Sequence, residues 1–167
     1  MKLGEGVEAA IHCTALLGAL PQGAVLPAAA LAEKYGLSPS YLLKTLKLLV
    51  ADGILTSISG PTGGYRLARG AEKITLRDIV LAVSGHALAF RCQDIRRNGP
   101  CAGLDDGAFP RPCGISVAML KAEAAYRDAL AQTSIADLVQ EYQETSSAPA
   151  RAAQGTFLQS AVRGRGE

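Results

Sequence analysis

Apolar residues recur at helical steps through the first segment. Val7, Ala10, Ile11, Leu17 and Leu20 predict a helix over residues 2–20, which Pro21-Gln22-Gly23 ends. A short helix follows at 27–35, with Pro27 at its first turn and Gly36 after its end. Ser38 then stands as an N-cap and Pro39 as the first helical residue. Leu42, Leu43, Leu46, Leu49 and Val50 form one apolar face running to about Asp52, and Gly53 stops the helix. The opposite face carries Ser40, Tyr41, Lys44 and Lys47.

The period then changes from helical to alternating. Residues 54–59 are β-branched and alternate, Gly60-Pro61-Thr62-Gly63-Gly64 is a turn cluster, and Tyr65-Arg66-Leu67 resumes the strand. Together they predict a β-hairpin. Thr75-x-x-Asp78 matches a capping box before Ile79, Val80 and Val83. Residues 85–113 lose all periodicity and are punctuated by Gly and Pro. A structureless stretch of that length inside a compact domain is usually functional or disordered. Ile115, Ala118, Met119, Ala122, Tyr126, Ala129 and Leu130 then mark a long amphipathic helix, and Ser134-x-x-Asp137 caps a short one through Tyr142. From Thr145, the dominance of Ala, Gly, Ser, Gln and Arg reads as a flexible tail.

The expected fold is mainly α with a small β-hairpin: a winged helix-turn-helix followed by a long C-terminal dimerisation helix. The expected organisation is a DNA-binding unit over 1–84, a cysteine loop over 85–114, dimerisation helices over 115–144 and a tail over 145–167. The third helix is then the recognition helix. Ser38, Ser40 and Tyr41 can donate to phosphates or base edges, Lys44 and Lys47 add charge on the same face, and Arg66 stands in the wing.

Composition narrows the possibilities without choosing among them. The 167 residues are 49% hydrophobic and 19% charged, an ordinary globular balance, and the net charge is only +2. DNA binding must therefore rest on local charge rather than bulk charge. No apolar run approaches the ~18 residues of a membrane span. The start lacks the basic and apolar pattern of a signal peptide, so a cytoplasmic protein is expected. An enzyme is not expected: there is no Cys-x-x-Cys, no phosphate-cradling loop between a strand and a helix, and only two histidines. Three of the four cysteines, Cys92, Cys101 and Cys113, share the irregular loop. Clustered cysteines in a reducing compartment more often bind metal or sense redox state than form structural disulfides. Cys13 falls on the apolar side of the first helix and reads as a small buried residue. His86 shows no partner and reads as solvated.

Met1-Lys2-Leu3, Leu37-Ser38-Pro39-Ser40-Tyr41-Leu42, Gly53-Ile54-Leu55, Gly60-Pro61-Thr62-Gly63-Gly64-Tyr65-Arg66-Leu67 and Ile74-Thr75-Leu76-Arg77-Asp78-Ile79-Val80 resemble the IscR/NsrR-type (Rrf-type) bacterial winged-helix regulators over about residues 1–144. The resemblance implies a homodimer on palindromic double-stranded promoter DNA, with the long helix making the dimer. It also implies an iron–sulfur cluster held by cysteines of the loop. Eight residues separate Cys92 from Cys101 and eleven separate Cys101 from Cys113, wider than the family's usual spacing. The segments around Cys92 and Cys113, and the start Gly6-Val7-Glu8-Ala9-Ala10-Ile11-His12-Cys13, resemble a subgroup with a redox-responsive two-iron cluster. Through this resemblance Glu8, from the partner chain, becomes a candidate ligand. His12, one turn along on the same face, becomes another.

Three thiolates with Glu8 favour a four-iron cluster. Cys92 and Cys113, completed by a residue such as His12, favour a two-iron one. The alternative is a cluster-free winged-helix regulator switched by cysteine oxidation or by zinc.

Overall fold

The computed structural model describes residue 4 and residues 6–164. The Met1-Lys2-Leu3 start lies outside them. Seven α-helices and one hairpin appear in the order α1 (Val7–Gly18), α2 (Ala28–Tyr35), α3 (Pro39–Ala51), β1 (Leu55–Ile58), β2 (Gly64–Leu67), α4 (Leu76–Ser84), α5 (Gly114–Ala131), α6 (Ile135–Thr145) and α7 (Ala148–Ala161). The mainly α class with a small hairpin is the one the sequence predicts. Among the described residues no helix is long and apolar enough to cross a membrane.

One core gathers α1 to α4, the hairpin and α6. Ala10, Cys13, Leu26, Leu31, Leu42, Leu46, Leu49, Ile74, Ile79 and Ile135 are sealed from solvent within it. The turn between α2 and α3 is closed by Gly36, in the left-handed conformation at φ 61°. The Leu37 N–H reaches back to Ala32 O and the Gly36 N–H to Glu33 O, so the last carbonyls of α2 are satisfied as the chain turns. Leu42, Thr45, Leu46 and Leu49 bury one face of α3. Leu43, expected on that face, is 38% exposed, because the buried arc is narrower than the run of leucines.

The hairpin pairs Leu55 with Leu67, Thr56 with Arg66, Ser57 with Tyr65 and Ile58 with Gly64. Its two adjacent glycines have a steric reason. A Cβ at Gly63 would stand 2.1 Å from Ile58 O, and one at Gly64 would stand 2.5 Å from Leu26 O. Both capping boxes form: Thr75 with Asp78, and Ser134 with Asp137. Thr75 and Ser134 also bridge to each other, which ties the start of α6 to the start of α4.

Two expectations are corrected. The segment read as a flexible tail contains α7, capped by Ser147. Phe157, Leu158, Ala161 and Val162 recur at helical steps and pack against the core, a spacing hidden by the surrounding Ala, Gly, Ser and Gln. His86 is exposed, as expected, but it does have a partner: its Nε2 lies 3.1 Å from Asp52 Oδ2 at the end of α3.

Candidate functional site

Two surfaces carry the candidate chemistry. On the first, Ser38, Ser40, Tyr41, Lys44 and Lys47 are all exposed along α3, and Arg66 is exposed on β2. Ser38 occupies the N-cap position but gives the backbone no side-chain cap. Its hydroxyl instead lies 3.0 Å from that of Ser40, so the two form a polar pair at the helix start. Among the described residues neither Lys44, Lys47 nor Arg66 forms an ion pair. This face is polar, cationic and uncompensated, which suits an anionic backbone.

The second surface is built where the loop after α4 meets the start of α5. The sulfur atoms of Cys92 and Cys113 and a carboxylate oxygen of Asp94 all lie within 4.8 Å of one another. Local backbone explains the convergence. Asp94 adopts the left-handed conformation (φ 47°), the one described non-glycine residue to do so. Aspartate tolerates that conformation better than most residues, and such sparsely populated angles concentrate at functional sites. The bend also aims the Asp94 N–H at Cys92 Sγ, 3.4 Å away.

Cys113 is the N-cap residue of α5. The N–H groups of Ser116 and Ile115 in the helix's first turn hold its thiol below the ordinary value, with a smaller contribution from Arg96. Arg96 Nε lies 2.6 Å from Asp94 Oδ1 and Arg97 Nε lies 3.0 Å from Oδ2, which lowers the carboxyl's pKa. Both guanidinium groups also lie over the ring of Phe109, 4.8 and 5.3 Å from its centroid.

Asp94 is thus occupied by two cations, and the ligand atoms left free are the two thiols. Cys101, on the turn Gly99–Cys101, is half-buried and is not among the converging ligand atoms. Glu8 and His12 lie one turn apart on the exposed side of α1, outside the cysteine group of their own chain. The His12 ring sits 5.4 Å from that of Tyr35. Cys13 is sealed in the core, where desolvation pushes its thiol up to about 12.

Four participants escape the sequence reading. Asp94, Arg96 and Arg97 sit within five positions of Cys92, a charge cluster that could have been read from the sequence. Glu123 accepts the Ala89 N–H at 3.0 Å and pairs with Arg127, so the start of the cysteine loop is fastened to α5. Its signal was a Glu-to-Arg pair at i, i+4 on the helix face that meets α4.

Comparison with known proteins agrees with this architecture. The Rrf2 family model, described as an iron-dependent transcriptional regulator, matches residues 3–141. YffB of Lactococcus lactis, which carries an HTH-type transcriptional regulator name, is 33% identical over 143 residues, covering 86% of this chain and 90% of its own length. The HTH-type transcriptional regulator IscR of Escherichia coli is 36% identical over 80 residues, 48% of each chain. Among solved structures, the fold resembles CymR, the global cysteine regulator of B. subtilis, with a TM-score of 0.63 and 20% identity over 84% of this chain and 97% of that one. It also resembles T. potens IscR, with a TM-score of 0.64 and 19% identity over 89% and 93% of the two chains. The match to the family model across most of the chain shows that this protein belongs to the Rrf2 family of transcriptional regulators.

Proposed function

We propose that the protein binds double-stranded promoter DNA in the cytoplasm as a homodimer, and that the paired thiols of Cys92 and Cys113 hold an iron–sulfur cluster that sets its DNA affinity. The observation that carries this reading is the convergence of two thiols at the N-terminus of α5. The donor set fits the group. Soft thiolates match iron, the N-terminus of α5 favours the charged form of Cys113, and an N–H aimed at Cys92 Sγ is the kind of hydrogen bond that tunes cluster sulfurs. Arg96 and Arg97 neutralise Asp94 and Asp106 beside the thiols, so these carboxylates add no net charge to what two thiolates and an anionic cluster would bring. Such a cluster would supply a redox couple and a tether between the two ends of the loop.

Two thiolates are half of a cluster's ligands. With Cys101 outside the group, the two-iron arrangement is the better supported. Glu8 and His12 of the partner chain are then the residues that complete it, both being exposed on one side of α1. The dimer would form through α5. Ile115 is 69% exposed, and Val117, Met119 and Leu120 are exposed beside it, an apolar stretch that a second copy of the helix would cover. The loop is fastened to α5 by Glu123, and α5 packs on α4 of the DNA-binding unit. A change in how Cys92 and Cys113 are held would thus bear on how the two recognition helices stand.

A cluster-free reading has its own support: the same two sulfurs are solvent-accessible and close enough for thiol chemistry or zinc. Anaerobic purification separates the two. A visible absorption band together with retardation of the DNA upstream of the protein's own gene is expected. A colourless, iron-free protein that still retards the DNA would favour the thiol switch.

A further inference from the structure

The chain beyond residue 141, where the family match ends, returns to the wing. Val25 and Arg163 exchange two backbone hydrogen bonds, each 3.0 Å. Leu26, facing the other way, exchanges two with Tyr65 of β2, at 2.8 and 3.0 Å. Arg163 is therefore the outer rung of a small sheet whose far side is the hairpin. Its side chain reaches the hairpin's tip, where Nη1 donates to Pro61 O at 2.6 Å.

Of the tip residues 60–64, Thr62 alone carries a side-chain donor of its own, so the bond from Arg163 adds a second fastening there. α7 secures the approach, with Phe157, Leu158, Ala161 and Val162 against the core and the Lys34 ammonium 5.2 Å from the Phe157 ring centroid.

The bond to Pro61 uses one of the guanidinium's five N–H donors. Arg163 is exposed, and among the described residues no carboxylate pairs with it. A full positive charge with spare donors thus sits on the tip of the wing.

We propose that Arg163 is a DNA-binding residue of the wing, supplied from the C-terminus, which contacts a backbone phosphate while holding the glycine-rich tip in place. The inference rests on the reading of α3 and the hairpin as the DNA-binding surface. It adds to that surface an element outside the matched family region.

The test is a titration of the full-length protein against the DNA upstream of its own gene at several salt concentrations. Lys44→Ala, Arg163→Ala, Arg163→Lys and Arg163→Gln are measured beside the parent protein. Loss of a phosphate contact lowers the salt slope by about one. For Arg163→Ala that drop is expected, with affinity about tenfold weaker. Arg163→Lys restores the slope because it keeps the charge. Arg163→Gln does not, although it keeps a donor that can bond Pro61.

An unchanged slope in Arg163→Ala, whatever happens to affinity, overturns the proposal and leaves Arg163 a strap on the wing. If Lys44→Ala loses slope while Arg163→Ala keeps it, only the C-terminal contact falls. If the parent protein binds no DNA, the reading of the whole surface falls with it.

Discussion

Glu123 and Arg127, one turn apart on α5, form an ion pair of 2.7 Å whose carboxylate side chain is only 5% exposed. The same carboxylate accepts the Ala89 N–H, and Arg127 Nη2 donates to the carbonyls of His86 and Ala87. Three residues at the start of the cysteine loop are thereby held by one pair on the helix. Substituting Glu123→Gln leaves Arg127 without its counter-charge and weakens the bond to Ala89. A loss of about 2 kcal/mol is expected in urea unfolding, from the worth of a hydrogen bond to a charged group. An unchanged unfolding midpoint would show that the pair holds nothing.

The wing glycines give a second expectation. Gly63→Ala forces a methyl group against Ile58 O, a backbone atom that cannot yield without opening the hairpin. Overpacking of this kind costs about 2 kcal/mol, and here it displaces the tip. DNA affinity is expected to fall while the far-UV circular dichroism, dominated by helices, stays the same. Full affinity in Gly63→Ala would separate the wing from DNA binding.

Charge on α3 is tested by salt. Lys44→Ala and Lys47→Ala should each weaken binding across DNA sequences and lower the salt slope by about one, because a phosphate contact carries no base information. Parallel titrations on operator and unrelated DNA measure both effects. Retained slope in both variants would move the interface off this face.

Cys13 predicts an alkaline weakness. Burial raises its thiol from 9.0 to about 12 in the folded chain. Between those values the unfolded chain releases a proton that the folded chain keeps. Stability from this group is therefore complete below pH 9 and falls as pH rises towards 12, by about 1.4 kcal/mol per pH unit. Burial raises the Tyr35 hydroxyl in the same direction, so it adds to the slope at higher pH. Urea unfolding from pH 8 to pH 11 should show a shallower decline for Cys13→Ala than for the parent. Identical slopes would show that the thiol is not sealed in the core.

The helix-turn-helix and wing were legible because their signals are local. Gly36, Pro39 and the Gly63-Gly64 pair announce turns, and the leucines of α3 announce a face. α7 was not legible, because Phe157, Leu158, Ala161 and Val162 lie among residues whose composition suggests disorder. The thiol site was half legible. Sequence brought three cysteines into one loop, but which two meet depends on the left-handed turn at Asp94 and on the start of α5 at Gly114. Those are tertiary outcomes that spacing alone does not contain. His86 and Asp52 meet across 34 residues of sequence, and no local pattern signals such a pair.

The most direct test of the cysteine site is an iron and acid-labile sulfide count on Cys92→Ala, Cys101→Ala and Cys113→Ala, each reconstituted anaerobically beside the parent protein. Two converging thiols lead to a plain expectation: iron and sulfide are lost in Cys92→Ala and Cys113→Ala and are retained in Cys101→Ala, at about two irons per chain, the content of a two-iron cluster. Full iron content in Cys92→Ala or Cys113→Ala would contradict the site, and its loss in Cys101→Ala would restore the three-thiolate arrangement.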